Sequence, residues 1–255
     1  MLKTKLDDFH SLEKEEISNV LDDIPYMDKW IANIVENLIY MSVKEYHPQE
    51  NGGKLKARYI LKYGEIHGEY REFYENGQLS HQSTYVNGEL HGEYKEWFRG
   101  TDTSNEVCGQ QKIQQHYTSG KLHGERKEWY APTQNKNPQL WVQSNYLDGK
   151  QTGEYKSWYR NGVLWTEEWR IDGKREGLRK SWDRNGLLWL QHTHKDDLED
   201  GECTVWSNGQ LCGHRYYISG KLHGEYKIWN DEGELIEDKV YDNDELIEDK
   251  LFHTS

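Results

Sequence analysis

A glycine that returns about every 24 residues constrains this chain more than any other feature. The stretch from Gly153 to Gly177, GEYKSWYRNGVLWTEEWRIDGKREG, shows the unit: two runs rich in Tyr, Trp, Leu and Ile, separated by Asn161-Gly162 and closed by Asp172-Gly173. Aromatic and branched residues suit a pleated strand, and Asn-Gly or Asp-Gly supplies the positive φ angles of a tight turn. One β-hairpin per unit is expected. The leading glycine recurs at Gly68, Gly92, Gly124, Gly153, Gly177, Gly201 and Gly224, at spacings of 24, 32, 29, 24, 24 and 23. Such a period implies stacked hairpins, each unable to bury its own apolar face.

Aligned on that glycine, the fifth following residue is Phe73, Trp97, Trp129, Trp158, Trp182, Trp206 and Trp229, an aromatic every time. Strand alternation puts the first and third residues on the same face: Glu69/Arg71, Glu93/Lys95, Glu125/Lys127, Glu154/Lys156 and Glu225/Lys227. Position six reads Tyr74, Phe98, Tyr130 and Tyr159, then Asp183, Ser207 and Asn230. The two insertions, around 101–110 and 131–138, follow that position in units two and three. Loops on a rigid scaffold beside a contiguous aromatic patch make Tyr74, Phe98, Tyr130 and Tyr159 the candidate protein-contact stripe, against the plainer role of packing beneath the loops.

Only 34% of the 255 residues are hydrophobic and the net charge is −13, which alone would suggest disorder. Eleven Trp, eighteen Tyr and four Phe at regular positions argue instead for packing. Residues 1–50 carry 5 basic against 11 acidic side chains, 51–230 carry 25 against 24, and 231–255 carry 2 against 10. The repeat body is neutral. It therefore offers neither the basic stripe of a nucleic-acid binder nor the Lys/Arg clusters that recognise anionic lipid. With no 20-residue apolar run, no signal-peptide core, and three cysteines (Cys108, Cys203, Cys212) lacking metal-type spacing, an intracellular, cytoplasmic protein is expected.

Three segments are expected. In residues 1–50, Ile17, Val20, Leu21 and Ile24, then Trp30, Ile31, Ile34, Val35, Leu38 and Ile39, recur at helical spacing on either side of Pro25, an α-helical cap for the first sheet edge. Residues 51–245 form the hairpin array, mainly β, one elongated twisted antiparallel sheet roughly 70 Å long. Residues 246–255 form an acidic tail, after a terminal hairpin in which ELIEDK occurs twice.

The columns resemble the MORN repeat, in the variant form of the YwqK antitoxin-like family. The resemblance rests on G-E-Y-x-x-[YWF]-[YF] followed by N-G-x-L, as in Gly68–Leu79 and Gly153–Leu164. Those strands are joined by Y-x-x-G-x-L-x-G, as in Tyr85–Gly92 and Tyr217–Gly224. It implies a single sheet of hairpins used for assembly, dimerisation and protein contacts; the antitoxin name would add neutralisation of a toxin. Phospholipid binding, proposed for some members, fits poorly with a neutral body. Units five and six depart from the pattern: Leu178-Arg179 replaces Glu-Tyr, Cys203 replaces the tyrosine, and Asp197 replaces a turn glycine. Separately, Leu12–Leu21, LEKEEISNVL, resembles the opening of an F-box with Glu13 in place of proline, which would imply docking to a ubiquitin-ligase adaptor.

Four histidines precede leading glycines, His67, His91, His123 and His223. At about 10 Å between neighbouring units they cannot share a zinc ion and are read as turn residues. His192 and His194 with Asp196 and Asp197 form one compact set of ligand types, read as a solvated, frayed turn rather than a metal site. No catalytic motif occurs, and rows of like groups on open faces do not make a catalytic pocket. The expectation is a non-catalytic scaffold without cofactor that binds a protein partner and can pair with itself.

Overall fold

The computed structural model describes residues 39–48, 53–100, 109–133 and 138–250. Over them runs one antiparallel sheet of nineteen strands, from Tyr40–Tyr46 to Glu245–Asp249. Each strand pairs with the strands next to it in sequence, as expected of stacked hairpins. Two strands are interrupted at a histidine, giving Glu65–Ile66 with Gly68–Phe73 and Lys121–Leu122 with Gly124–Trp129. At about 4.8 Å per strand step the sheet extends about 80 Å.

The sheet begins earlier than the array boundary at residue 51, because Tyr40–Tyr46 pairs with Leu55–Lys62. The helical cap expected before it falls on residues 1–38, outside the described residues, as does the F-box-like stretch; no helix is confirmed. At the other end the expected terminal hairpin is present. Its second strand, Glu245–Asp249, occupies the start of the segment read as a tail.

Register separates the two faces. One cross-strand row reads Arg71, Gln82, Lys95, Gln114, Lys127, Gln143, Lys156, Glu167, Lys180. Beside it the expected acid–base pairs form within units: Arg71–Glu69 at 2.6 Å, Lys95–Glu93 at 2.8 Å, Lys156–Glu154 at 2.6 Å and Lys227–Glu225 at 2.9 Å. The opposite face carries the row His81, Glu96, Ile113, Glu128, Val142, Ser157, Thr166, Ser181, Leu190, Val205. This second face is the packed one. Ser83, Ser144, Ser157 and Ser181 are fully buried there, and among the described residues no second layer lies above them. Larger neighbours close over the small hydroxyls: Tyr70 and Tyr94 lie directly opposite Ser83, and Arg126 and Tyr155 opposite Ser144. The stacked rings of Tyr59 and Tyr70 and the tilted pair His81–Tyr94, with centroids 5.4 and 4.5 Å apart, continue the cover.

The two long edges of the sheet differ. One carries two-residue turns with both φ angles positive, such as Asn87-Gly88 (49°, 79°) and Asp172-Gly173 (51°, 91°). That geometry follows the right-handed twist of the strands it joins. The turns also bond to one another's units: Gly88 N–H donates to Ile66 O at 2.9 Å, Gly149 to Leu122 O at 2.7 Å and Gly173 to Gln151 O at 2.7 Å. The other edge carries longer loops except at Asn208-Gly209, a two-residue turn with φ of 50° and 81°, and on this edge Asn161-Gly162 departs from the tight turn expected of it. It lies in the five-residue connection 159–163, closed by Tyr159 N–H to Val163 O, and only Gly162 has a positive φ. A register shift between Ser157 and Trp158 is the cause, since an extra residue, Trp165, intervenes between the pairs Trp158–Leu164 and Ser157–Thr166.

Candidate protein-contact site

All four stripe residues sit at the base of a loop on this second edge. Each N–H closes its loop on the residue before the next strand: Tyr74 to Gln78 O, Phe98 to Gln110 O, Tyr130 to Gln139 O and Tyr159 to Val163 O, at 2.8–2.9 Å. The two insertions therefore rise from the same base as the short loops. Their central parts, 101–108 and 134–137, lie outside the described residues.

The tyrosine hydroxyls leave their own unit. Tyr74 Oη donates to Trp97 O at 2.7 Å, Tyr130 to Trp158 O at 2.9 Å and Tyr159 to Trp182 O at 3.0 Å. Each acceptor is the backbone of the position-five aromatic one unit along. The column of Phe73, Trp97, Trp129, Trp158, Trp182, Trp206 and Trp229 thus lies at or next to the strand ends of the loop edge, and Trp97, Trp158 and Trp182 offer their carbonyls to the unit before. Where position six is Asp183, the side chain closes its own loop instead, accepting from Asn185 N–H and Leu187 N–H at 2.9 Å each. Those bonds hold its carboxyl below the usual aspartate range.

Five residues absent from the sequence reading complete this edge. Trp141, Trp165 and Trp189 occupy the extra position at successive register shifts, and are 40%, 42% and 39% exposed. Tyr130 packs on Trp141 and Tyr159 on Trp165, at 5.7 and 5.8 Å between centroids. Arg160 and Arg184, the seventh residues of units four and five, fold back over Tyr130 and Tyr159, with guanidinium carbons 4.8 and 5.8 Å from the ring centres. Arg160 Nη1 donates to Ala131 O at 2.8 Å, and Asn161 Nδ2 donates to Arg184 O. Together Tyr130, Thr133, Tyr159, Arg160, Asn161 and Arg184 line a groove of about 680 Å³. The 24-residue spacing of the three tryptophans was available in the sequence.

Tyr74 lines a second groove with His47, Glu72, Glu75, Glu96 and Arg99, where carboxylates dominate. Phe98 is in neither lining. The stripe is therefore continuous along the edge but divides into an acidic end and an arginine end.

The histidines take other places. His67 Nδ1 accepts from Asn87 N–H and His91 Nδ1 from Ser119 N–H, at 3.3 and 3.4 Å. Thr152, Glu176 and Asp200 do the same in their units, toward Asp172, Asp196 and Ser219. The column is thus a row of acceptors for the next turn, and histidine is one way to fill it. His123 and His223 face Asp148 and Asp242 at 3.4 and 3.2 Å.

His192 and His194 are not in a frayed turn. They are 6% and 3% exposed within the strand Leu188–Lys195, their rings 4.1 Å apart. Burial, then nearby arginines for His192 and the partner imidazole for His194, push both pKa values down to about 4. Asp196 and Asp197 form the exposed turn beyond them, bonded to Lys174 and Arg175. Among the described residues no three His, Cys, Asp or Glu side chains converge as metal ligands. Cys203 and Cys212 are free thiols.

No curated protein matches the chain. The MORN repeat variant matches three stretches, residues 66–87, 151–168 and 222–243. They span units one, four and seven, and the strands between them keep the same register and turn geometry. Three hairpins of the sheet therefore match the MORN repeat variant, which supports reading the chain as a MORN repeat protein.

Proposed function

We propose that the protein is a non-catalytic scaffold whose loop edge binds another protein. MORN repeats commonly serve as protein- or membrane-interaction modules. The observation that carries the reading is the ladder of Trp141, Trp165 and Trp189, three large rings one unit apart and about two-fifths exposed. Aromatic side chains lose little conformational entropy on binding and dominate interface cores, so a fixed row of them favours a protein partner. The neutral repeat body favours that partner over nucleic acid or anionic lipid.

Replacing Trp141, Trp165 and Trp189 by Ser in the full-length protein should abolish capture of a partner from native-host extract while the thermal melt stays cooperative. Partner capture unchanged by the triple substitution would refute the proposal. Tyr159→Phe is the counterpart, expected to weaken the fold slightly and leave capture intact.

A further inference from the structure

The column at the seventh position of each unit reads Glu75, Arg99, Ala131, Arg160, Arg184, Asn208 and Asp231. Arg99 is neutralised by Glu75 at 3.7 Å. Arg160 and Arg184 differ. Among the described residues neither has a carboxylate within ion-pair distance, and Asp183, next to Arg184 in sequence, accepts instead from Asn185 and Leu187. Each guanidinium is instead steadied over a tyrosine ring, and among the described residues one Arg160 donor is engaged, by Ala131 O. A guanidinium has five N–H donors in a planar fork that matches a carboxylate, so both side chains are held in place with donors to spare.

Spacing sets the shape of what would fit. Equivalent positions in adjacent units are two strand steps apart, about 10 Å. A peptide in the extended polyproline II conformation advances about 3.1 Å per residue and returns its side chains to the same side every third residue, so three residues cover one unit. Building on the reading that this edge binds protein, we infer that the arginine end takes an extended acidic segment of the partner. The segment runs along the sheet's long axis, with carboxylates three residues apart on Arg160 and Arg184. Side chains between them lie against Trp141, Trp165 and Trp189. At the other end Arg99 is matched by Glu75 and Lys112 by Glu96, which favours placing the segment over units three to five.

The test is fluorescence anisotropy on the full-length protein with a labelled peptide of about 12 residues, carrying Glu at every third position among Ser, Gly and a single Tyr. Controls are the same composition with its Glu residues clustered, a Lys counterpart, and a single-stranded RNA of equal charge. The spaced peptide should bind best, weaken with salt, and weaken about tenfold with Arg160→Glu/Arg184→Glu, a difference of about 1.4 kcal/mol. Arg160→Gln/Arg184→Gln should produce a smaller loss in the same direction, with a melt close to wild type. Equal binding of spaced and clustered peptides, indifference to both double substitutions, no binding of the spaced peptide, or preference for Lys peptide or RNA would each overturn the inference. Partner capture that is lost with the tryptophans but survives Arg160→Glu/Arg184→Glu would overturn the acidic segment alone and leave the contact edge standing.

Discussion

At position six, a single oxygen decides whether a unit is tied to the next. Tyr74, Tyr130 and Tyr159 each donate a hydroxyl across the unit boundary, and Phe98 has none to donate although its loop closes on the same backbone bond. Phe98→Tyr should therefore place a hydroxyl near Trp129 O and stabilise the protein by roughly 0.5–1 kcal/mol, while Tyr159→Phe costs a similar amount. Urea midpoints of the two variants measure both. The buried pair His192 and His194 makes a second prediction. Both titrate near 4 in the folded chain against 6.5 when free, with Arg175, Arg179, Glu168, Glu199 and Cys203 as the titratable and charged neighbours. Between those values the unfolded chain binds more protons. The stability is present above about pH 6.5 and is lost as the pH falls toward 4, at about 1.4 kcal/mol for each unit per histidine. Melting at pH 7.5 and pH 5 should show the loss, and His194→Gln should flatten it.

Turns were the most legible elements because their chemistry is local. Asn87-Gly88, Asp148-Gly149 and Asp172-Gly173 mark the short-turn edge with positive φ at both residues, whereas Asn161-Gly162 on the loop edge has it only at the glycine. Asp196-Asp197 looked like decay of that signal and is a different solution to it. Asp197 holds φ at 72°, donates its N–H to Arg175 O at 3.0 Å, and accepts from Arg175 N–H at 2.9 Å. Asp244 repeats the arrangement against Leu222, at 3.0 and 2.8 Å. A glycine there makes one bond to the preceding unit, and an aspartate adds others through its carboxylate. Asp197→Ala should thus lower the urea midpoint, from the left-handed backbone and the lost charged acceptor. Asp197→Gly, which relieves the backbone, should lower it less. The loop edge was harder to read for a physical reason. Strict alternation assigns every residue to one face or the other, and the register shift at Trp158 inserts Trp165 outside that count. Counting by twos found the acid and base rows. It missed the three tryptophans at the shifts and the arginines that fold back onto the preceding unit.

At the largest scale, every pairing described above joins neighbours in sequence, so cohesion among the described residues is a sum of nearest-unit interfaces. Removing one complete unit, residues 177–200, brings Glu176 onto Gly201. Thr166 then faces Val205 in place of Ser181, and the turn Asp172-Gly173 still leads into a strand ending in an aromatic, now Trp206. The shortened chain should fold cooperatively, with a denaturant slope lower by roughly a tenth, because that slope follows the surface exposed on unfolding. It should also lose the acid sensitivity of His192 and His194, which leave with the unit. Removing only residues 177–188 should behave differently. One strand fewer reverses every later hairpin, puts short turns beside long loops, and breaks both the turn-to-turn bonds and the tyrosine bonds to the next unit. Circular dichroism and urea titration separate the cases: a folded half-unit deletion, or an unfolded whole-unit one, would show that the sheet is held by something other than its repeating interfaces.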